Sequence, residues 1–570
     1  MKTRFVLRTR ILAGCFVFAA LLFIGQLYLV QIVRGVEYRD KASARYVKQG
    51  FDTENRGNIY FTTKDGELVS AAVMQTGWRI AIKPDELPDA DSVYAQLSAL
   101  TPIDKERFYA YAAKKGDPYE EIAFRVPDDV AQKIRPLKIP GLLLVRDQWR
   151  IYPAHELAAQ TVGFVGYQGD KRVGVYGLEK SWQDTLVERR SGLYVNPFAE
   201  IFTNLRAVAS INPAGERGSI VTSIEPSVQR NLEEVLGEIM KSYTPNLAGG
   251  IIMDPHTGAI IAMATRPTYD PNTYSTVANP GVFRNALVES TFEMGSIMKP
   301  LTMAAGIDKG VVTPTTTYKD TGCIGKSGKK VCNSDQKAHG LVSMQTVLNQ
   351  SLNTGASFVV DKIGHEVFSA FLHDLELGKK TGIDLPSEAA GQLKSIENGY
   401  DLDYASASFG QGISVSSIEM IRALSTLANG GVLPNPHIVT GIKLTNGITR
   451  SINPGTGPRV LSASSTEAVT NMLIETYDTA LIGGALKQEH YSLAAKTGTA
   501  QIAKPGGGGY YTDRTLHSFF GYFPARDPKF IIFLIAVEPH GQEFSAATLS
   551  RPFSNLAKYL INYYNIPPDR

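Results

Sequence analysis

Cysteine is scarce in this chain, with 3 residues among 570, and so small a number excludes a fold held together by many disulfides. Metal-ligand spacing is also missing, because the HExxH-like start at His155 and Glu156 has Ala159 in place of the second histidine. The formal net charge is only +3, which excludes the strongly basic surface of a general nucleic-acid-binding protein. We therefore predict no metal site, no cofactor and no nucleic-acid partner.

One long apolar run is present near the amino terminus. Residues 11–33 carry no charge, and a helix of that length, rising about 1.5 Å per residue, spans a bilayer. The ten residues before it contain four basic and no acidic side chains, so the positive-inside rule places residues 1–10 in the cytoplasm. A cleaved signal peptide is the alternative, although its apolar region would be shorter and would end in small residues. We expect a single-pass membrane anchor at 11–33, with all later residues outside the cytoplasm.

The rest of the chain changes character near a turn-rich linker at 212–218. Residues 34–215 alternate short β-prone runs with polar stretches, which indicates a mixed α/β module. Residues 216–570 have strands and helices at both ends and a long helical middle, which predicts an α+β domain with a helical part inserted into an antiparallel sheet. The predicted elements are strands at 219–223, 250–253, 259–264, 517–523 and 530–537, and helices starting at 226, 299 and 545.

Three short motifs carry the chemistry of this second domain. They are Ser296-Ile297-Met298-Lys299, Ser351-Leu352-Asn353 and Lys496-Thr497-Gly498-Thr499. Each motif has competitors elsewhere in the chain, at Ser327/Lys330, Ser334/Lys337, Ser210/Asn212, Ser451/Asn453 and Lys380-Thr381-Gly382. The local pattern around each match must therefore decide among them.

Context favours the first set. Ser296 and Lys299 are three residues apart at the start of a predicted helix, so their side chains share a face, whereas the competing SxxK matches lie in a loop without apolar periodicity. Ser351 follows a helical pattern and precedes Thr354 and Gly355, while its competitors are followed by proline. Lys496 lies in a predicted strand, and a strand edge can pair with the main chain of an extended peptide.

Longer segments of the chain resemble one enzyme family, the class B penicillin-binding proteins, which are monofunctional transpeptidases of cell-wall synthesis. The resemblance covers almost the whole chain. The segments are Met253–Met263, Pro267–Asn272, Ser408–Val415 and Leu427–Gly431 in the second domain, and Arg150–Pro153, Gly163–Gly166 and Gly177–Glu179 in the first. Two departures occur: Tyr60–Gly66 replaces an Asp-Arg-Asn-Gly-like turn after Arg56–Ile59, and Met294 occupies a position that is usually proline.

The resemblance implies a fold and an activity. The fold is that of penicillin-binding proteins and serine β-lactamases, an antiparallel sheet with helices on both faces plus an all-helical part, preceded by a non-catalytic, dimerisation-type pedestal. The activity is peptidoglycan D,D-transpeptidation, in which Ser296 attacks the bond between two terminal D-alanines of a stem peptide. A second stem resolves the acyl-enzyme, and β-lactams inhibit it covalently. The implied partner is a membrane glycosyltransferase polymerase, and both septal and elongation synthesis remain open.

The resemblance also implies roles for the motif residues. Lys299 is the base, but an ordinary lysine, with a pKa of about 10.4, is neutral in only about one molecule in 2,500 at pH 7. Burial and the charge of Lys496 are expected to lower the pKa of Lys299. Ser351 relays a proton, and Asn353 orients Lys299 and binds a substrate amide. The substrate carboxylate is expected at Thr497, Gly498 and Thr499, and the oxyanion hole at the N–H groups of residues 296 and 499.

Two alternative functions use the same residues. A membrane-anchored serine β-lactamase would hydrolyse the acyl-enzyme, and a β-lactam sensor would signal across the membrane. The pedestal of about 180 residues favours biosynthesis over hydrolysis, and a tail of ten residues leaves little room for an output domain. Cys323 and Cys332 flank a predicted hairpin, and outside the cytoplasm they could form a disulfide, although two separate thiols remain the alternative.

Overall fold

The computed structural model describes residues 55–169, 171–188, 217–397, 399–444 and 446–570, together with Phe18, Leu21, Phe23 and Gln26. The predicted tail and anchor at 1–33 lie outside the described residues apart from those four positions. Among the described residues, no helix has the length and apolar content needed to cross a bilayer. The described chain divides into two compact units, one containing residues 77–148 and the other containing 56–76, 149–187 and 217–570. The second unit thus includes two segments of the predicted pedestal.

The first unit combines short helices with antiparallel strands. Its strand Glu120–Val126 pairs antiparallel with the second half of the strand Leu68–Ile82, with Trp78 opposite Val126 and Ile80 opposite Ala123. Its core packs these strands against the helices, with Phe108 and Leu97 at full burial. The further elements of the unit are the helices Ala90–Ser98, Lys105–Ala112 and Asp128–Ile134 and the start of the strand Leu142–Ile151.

A five-stranded antiparallel sheet forms the centre of the second unit. In chain order its strands are β1 (Leu247–Met253), β2 (Ile260–Arg266), β3 (Ala494–Ala503), β4 (Tyr510–Phe523) and β5 (Phe530–Val537). The order across the sheet is β2, β1, β5, β4, β3, so strands from both ends of the chain segment lie side by side. This arrangement confirms the predicted antiparallel sheet with an inserted helical part.

Side-chain alternation along the strands explains why helices cover both faces of the sheet. Successive side chains of a strand point to opposite faces, and the central strand β5 is an unbroken apolar run buried on both sides. Ile532 and Leu534 pack in one core with α1 (Pro226–Tyr243) and α6 (Ser545–Tyr563). Phe533 and Ile535 pack in the other core with α2 (Lys299–Asp308) and α4 (Ser417–Ala428). The prediction of helices on both faces is confirmed.

The remaining elements of the second unit are short. Helices lie at Ala159–Val162, Gly177–Ser181, Gln183–Leu186, Ala286–Glu289, Met344–Asn349, α3 (Asn353–Ile363), His365–Asp374, Lys394–Glu397, Asp401–Ala407 and α5 (Ala463–Glu475). Strands lie at Ile59–Thr62, Val165–Gln168, Lys171–Gly174, Gly218–Thr222, Thr291–Phe292, Thr317–Asp320, Cys323–Lys326, Lys329–Cys332, Gly340–Ser343, Val415–Ser416, Val432–Pro434, Val439–Leu444, Thr449–Ser451 and Thr456–Arg459. The strand Gly218–Thr222 pairs parallel with Ile59–Thr62 and antiparallel with Val439–Leu444.

A buried ion-pair cluster ties three distant segments of the second unit together. The fully buried Glu179 accepts hydrogen bonds from Nε of Arg56 and Nε of Arg150, both at 2.6 Å. Arg150 also donates to the backbone oxygen of Gly57 at 2.8 Å. Burial alone would raise the pKa of the Glu179 carboxyl, but the two guanidinium groups outweigh it and hold that pKa below its usual value.

Replacement of Glu179 by Gln should therefore destabilise the protein strongly. The variant leaves two buried guanidinium groups without a counter-charge, which typically costs about 3 to 5 kcal/mol in the free energy of unfolding. Urea unfolding of the variant and the wild type measures this loss. Glu238→Gln, on the exposed face of α1, is the matched control and should change the free energy of unfolding by less than about 0.5 kcal/mol.

The difference in the free energy of unfolding between the wild type and Glu179→Gln should also depend on pH. Because the pKa of Glu179 is lowered in the folded state, its stabilisation is complete above the unfolded-state pKa and is lost as the pH falls through the folded-state pKa. The gap between wild type and Glu179→Gln should therefore shrink on acidification. Equal stability of the Glu179→Gln and Glu238→Gln proteins at neutral pH would contradict the role of this cluster.

Candidate active site

Ser296 lies in a short turn that leads directly into a buried helix. The turn Gly295–Met298 precedes α2, whose second residue, Pro300, occupies a first-turn position where its missing N–H would have no helical partner. Gly295 has a φ of +66°, and a Cβ atom there would lie 2.9 Å from the backbone oxygen of Thr499. The glycine thus permits the close approach of the serine turn to strand β3.

Two buried lysines converge on the hydroxyl of Ser351. Lys299 is 1% exposed and Lys496 is 2% exposed, and their Nζ atoms lie 3.1 Å and 3.0 Å from the Ser351 Oγ. Lys299 also donates to the backbone oxygen of Ser351, and Lys496 donates to the backbone oxygen of Thr497 at 3.1 Å. The structure therefore brings the serine of the second motif and the lysines of the other two together.

The environment of the two lysines disfavours their charged forms. Burial lowers the pKa of Lys299 well below its usual value, and the positive charge of Lys496 lowers it further. Burial also lowers the pKa of Lys496, to about 7. The ring of Phe409 lies 6.0 Å from the Lys299 Nζ and contributes to the apolar surroundings. A neutral amine at Lys299 is a proton acceptor one helical turn from Ser296.

Strand β3 lies at the edge of the sheet, and residues of strand β4 and α6 hold it in place. A Cβ atom at Gly498 would come within 2.3 Å of the Ser518 Oγ, and that hydroxyl donates to the backbone oxygen of Met294 at 2.7 Å. The Thr499 Oγ1 accepts a hydrogen bond of 3.1 Å from the N–H of Ser545. Thr497 and Thr499 are both half-buried. These contacts fix the strand against the serine turn while leaving its outer edge available to a substrate.

Ser351 and Asn353 lie in the junction between two helices. The helix Met344–Asn349 ends before Ser351, whose φ is +57°, and Asn353 is the first residue of α3. The Asn353 Nδ2 donates to the backbone oxygen of Cys332 at 2.9 Å. The expected hydrogen bond from Asn353 to Lys299 is not among those of the described residues, because the start of α3 directs this amide toward the neighbouring hairpin.

That hairpin is closed by a disulfide. Cys323 and Cys332 are paired across the antiparallel strands Cys323–Lys326 and Lys329–Cys332 and form a disulfide bond. The buried carboxylate of Asp320 fastens the hairpin to α3, since it accepts hydrogen bonds from Thr354 Oγ1 at 2.6 Å and Asn333 Nδ2 at 3.1 Å. The hairpin that Asn353 contacts is therefore closed by the disulfide and is hydrogen bonded to α3 through Asp320.

The competing motifs lie in other places. Ser327 occupies the turn between the two hairpin strands and has a φ of +47°. Thr381, from the second KTG match, donates its hydroxyl hydrogen to Glu388 Oε1 at 2.7 Å and accepts a hydrogen bond from the N–H of Ile383 at 3.2 Å. Neither residue makes one of the lysine contacts around Ser351. The structure brings together the same three motifs that the sequence context favours.

Sequence analysis missed several groups that hold the site. Tyr510, at the start of β4, donates to Glu293, whose two carboxylate oxygens lie 3.0 and 3.1 Å from its hydroxyl. Burial raises the pKa of the Glu293 carboxyl. Ser518 and Ser545 likewise support the turn and strand that carry the motifs. Their partners are separated by more than 40 residues in sequence, so no local periodicity could have identified them.

Known proteins resemble the chain over almost all of its length. A family model described as the penicillin-binding protein transpeptidase domain matches residues 248–556, and one described as the penicillin-binding protein dimerisation domain matches residues 52–196. Stage V sporulation protein D of Bacillus subtilis is 27% identical, over 87% of this chain and 77% of that protein. Peptidoglycan D,D-transpeptidase FtsI of Buchnera aphidicola is 25% identical, over 99% of this chain and 96% of that protein.

Solved structures share the fold. Penicillin-binding protein 2X of Streptococcus thermophilus aligns with a TM-score of 0.73 and 22% identity, covering 90% of this chain and 80% of that one. Penicillin-binding protein 3 of Mycobacterium tuberculosis, in complex with aztreonam, aligns with a TM-score of 0.67 and 22% identity, covering 91% of this chain and 98% of that one. At this identity the likeness establishes the fold.

Direct titration tests the electrostatics of the lysine pair. In protein labelled with ¹³C at lysine Cε, the Lys299 resonance should titrate below the ordinary lysine range. In Lys496→Met its midpoint should move to higher pH, because a neighbouring positive charge is removed. Lys362→Met, which removes an exposed lysine of α3, should leave the Lys299 midpoint unchanged. An ordinary midpoint for Lys299 in the wild-type protein would contradict this description.

Proposed function

Since the chain belongs to the class B penicillin-binding proteins, we propose that it is a serine-type peptidoglycan D,D-transpeptidase that reacts through Ser296. The observation that carries this proposal is the pair of buried lysines, Lys299 and Lys496, hydrogen bonded to one hydroxyl, that of Ser351. A buried amine with a lowered pKa can accept a proton at neutral pH, which is the requirement for activating a serine nucleophile.

In the acylation step, the Oγ of Ser296 attacks the carbonyl carbon between two terminal D-alanines of a stem peptide. Lys299 accepts the hydroxyl proton as the new C–O bond forms. Collapse of the tetrahedral intermediate breaks the C–N bond and releases D-alanine, whose nitrogen receives a proton. Ser351 relays that proton, since its hydroxyl is within hydrogen-bonding distance of both lysines. An amine of a second stem peptide then attacks the ester carbonyl carbon and forms the C–N bond of the cross-link, while the C–O bond to Ser296 breaks and the proton lost by the amine returns to the Ser296 Oγ through Lys299.

Binding groups for this reaction line strand β3 and the serine turn. The close approach of the serine turn to strand β3 at Gly295 supports an oxyanion hole at the N–H groups of Ser296 and Thr499, where each donor would contribute about 3 to 4 kcal/mol. Gly498 allows β3 to lie flat against Ser518. The hydroxyls of Thr497 and Thr499 suit the terminal carboxylate of the substrate, because a hydroxyl can donate to a carboxylate oxygen. Asn353 suits a substrate amide.

The proposed setting is the outer face of the cytoplasmic membrane. The apolar run at 11–33 would anchor the chain with residues 1–10 in the cytoplasm. Residues 34–215 would form the pedestal, and residues 216–570 the transpeptidase domain that meets the stem peptides. The disulfide at Cys323 and Cys332 fits an oxidising compartment. The partner expected from the family is a membrane glycosyltransferase polymerase, and the expected covalent inhibitors are β-lactams such as the aztreonam bound in the Mycobacterium tuberculosis protein.

Replacement of Ser296 by Ala should abolish covalent labelling by a fluorescent penicillin. The variant removes the only atom that can form the ester, while leaving the lysines and Ser351 in place. Ser327→Ala and Ser334→Ala are matched controls from the competing motifs and should be labelled as the wild type is. Labelling of isolated membranes, read by in-gel fluorescence, makes the comparison, and a labelled Ser296→Ala protein would overturn the assignment.

A second measurement separates biosynthesis from β-lactam hydrolysis. With nitrocefin in excess, a transpeptidase should release about one equivalent of product per protein, since its acyl-enzyme lacks an efficient route to hydrolysis. Intact mass should then show one persistent adduct at Ser296. Turnover of many nitrocefin equivalents per protein would contradict the proposed function and favour the β-lactamase alternative.

A further inference from the structure

A hydrogen bond from the protein limits the directions in which the Thr499 hydroxyl can donate. A threonine hydroxyl offers one donated hydrogen and two acceptor lone pairs. Here Thr499 Oγ1 accepts a hydrogen bond from the N–H of Ser545 at 3.1 Å. Because one lone pair faces Ser545, the hydroxyl hydrogen must point in another direction, away from α6. A hydroxyl held in this way is prepared to donate to an anion.

The N–H of Ser545 is available because of its place in the fold. Ser545 is the first residue of α6, and the first N–H groups of a helix have no partner within the helix. The residue itself is fully buried. Within the described part of the chain, its side-chain hydroxyl has no hydrogen-bond partner. The backbone, rather than the side chain, therefore makes the contact to Thr499.

A buried histidine fixes the start of α6. His517 lies directly opposite Thr499 in the pairing of β3 with β4 and is fully buried. Its Nε2 lies 3.2 Å from the backbone oxygen of Glu543, and its Nδ1 lies 2.9 Å from the Thr548 Oγ1. Nε2 also lies 3.2 Å from the Thr515 Oγ1, and the Thr548 Oγ1 donates to the backbone oxygen of Ser545 at 3.2 Å. The imidazole thus bridges the residues on either side of Ser545.

The ring remains neutral at physiological pH. Burial lowers the pKa of His517 to about 4, although the hydrogen bond to Glu543 opposes that change. A neutral imidazole has one donor and one acceptor nitrogen, and both ring nitrogens of His517 have partners within hydrogen-bonding distance. The hydrogen bonds of the His517 ring with Glu543 and Thr548 therefore persist at neutral pH.

We propose that His517 is a positioning residue for the carboxylate-binding hydroxyl of Thr499. It acts through the start of α6, where it holds the Ser545 N–H in place and so directs the Thr499 hydrogen toward the substrate anion. The inference rests on the proposed function, in which Thr499 meets the terminal carboxylate of the substrate. His517 itself touches neither the reacting atoms nor the lysine pair.

The experiment compares acylation by benzylpenicillin with acylation by its methyl ester, which lacks the carboxylate. Rates are followed by intact mass on the full-length protein. Ser545→Pro removes the single N–H donor, and the backbone fits proline, since position 545 is the first of the helix and Phe544 before it is extended, with φ −119° and ψ 143°. The ring Cδ takes the place of the N–H hydrogen and therefore moves the Thr499 hydroxyl out of its present orientation. Ser545→Ala is the matched control, since it keeps the N–H and removes a hydroxyl without a described partner.

Loss of one directed hydrogen bond to a charged group predicts a fall of about tenfold in the rate with benzylpenicillin for Ser545→Pro. The rate with the methyl ester should stay within about twofold of the wild-type rate, because the affected group is the carboxylate. Ser545→Ala should match the wild type with both compounds. His517→Leu should behave as Ser545→Pro does, and His517→Gln, which keeps a donor toward Glu543, should recover part of the loss.

Three results would overturn the inference. They are an unchanged benzylpenicillin rate in Ser545→Pro, an equal fall with both compounds, and a loss in Ser545→Ala as large as that in Ser545→Pro. Thermal unfolding identifies a His517→Leu protein that has not folded, and His517→Gln then decides: a wild-type benzylpenicillin rate and ester rate in both His517→Gln and a folded His517→Leu protein would also overturn the inference. Failure of the wild-type protein to react with benzylpenicillin is a different result, because it removes the proposed function on which the inference rests.

Discussion

The rest of the site depends on one constraint, the burial of two lysine side chains around a single serine hydroxyl. Charged ammonium groups are costly to remove from water, and the pair can remain buried because its pKa values fall. Lys299 reaches this position because α2 is apolar almost throughout and buried from residue 299 to 306. The helix that carries the base is therefore also the centre of the helical part.

The site also depends on close contact between the backbones of the serine turn and strand β3. Gly295 and Gly498 leave no side chain between the serine turn, strand β3 and strand β4, and Ser518 links the turn to the sheet through Met294. The helical part contributes Ser351 through a left-handed backbone position between two helices. The serine turn with its base, Ser351 and the substrate-binding strand come from separate segments, and packing together with a few hydrogen bonds holds them in register.

Much of this arrangement could be predicted from the sequence because its signals are local. The apolar run of β5, the hairpin of β1 and β2, and Pro300 at the start of α2 each follow from short patterns, and the three motifs share favourable local context. Other features could not be predicted, because they depend on contacts between distant residues. The direction of the Asn353 amide, the Glu293–Tyr510 contact and the contact of Ser545 with Thr499 arise only when separate segments are packed together.

The pH dependence of acylation tests the central claim most directly. If Lys299 is a neutral base because it is buried, the rate constant for acylation of the wild-type protein by benzylpenicillin should increase with pH in the acidic range. It should reach its plateau by neutral pH, well below the ordinary lysine pKa of about 10.4. A rate that keeps rising through neutrality and levels off only near that ordinary value would show that the activating amine is charged at pH 7 and would contradict the account.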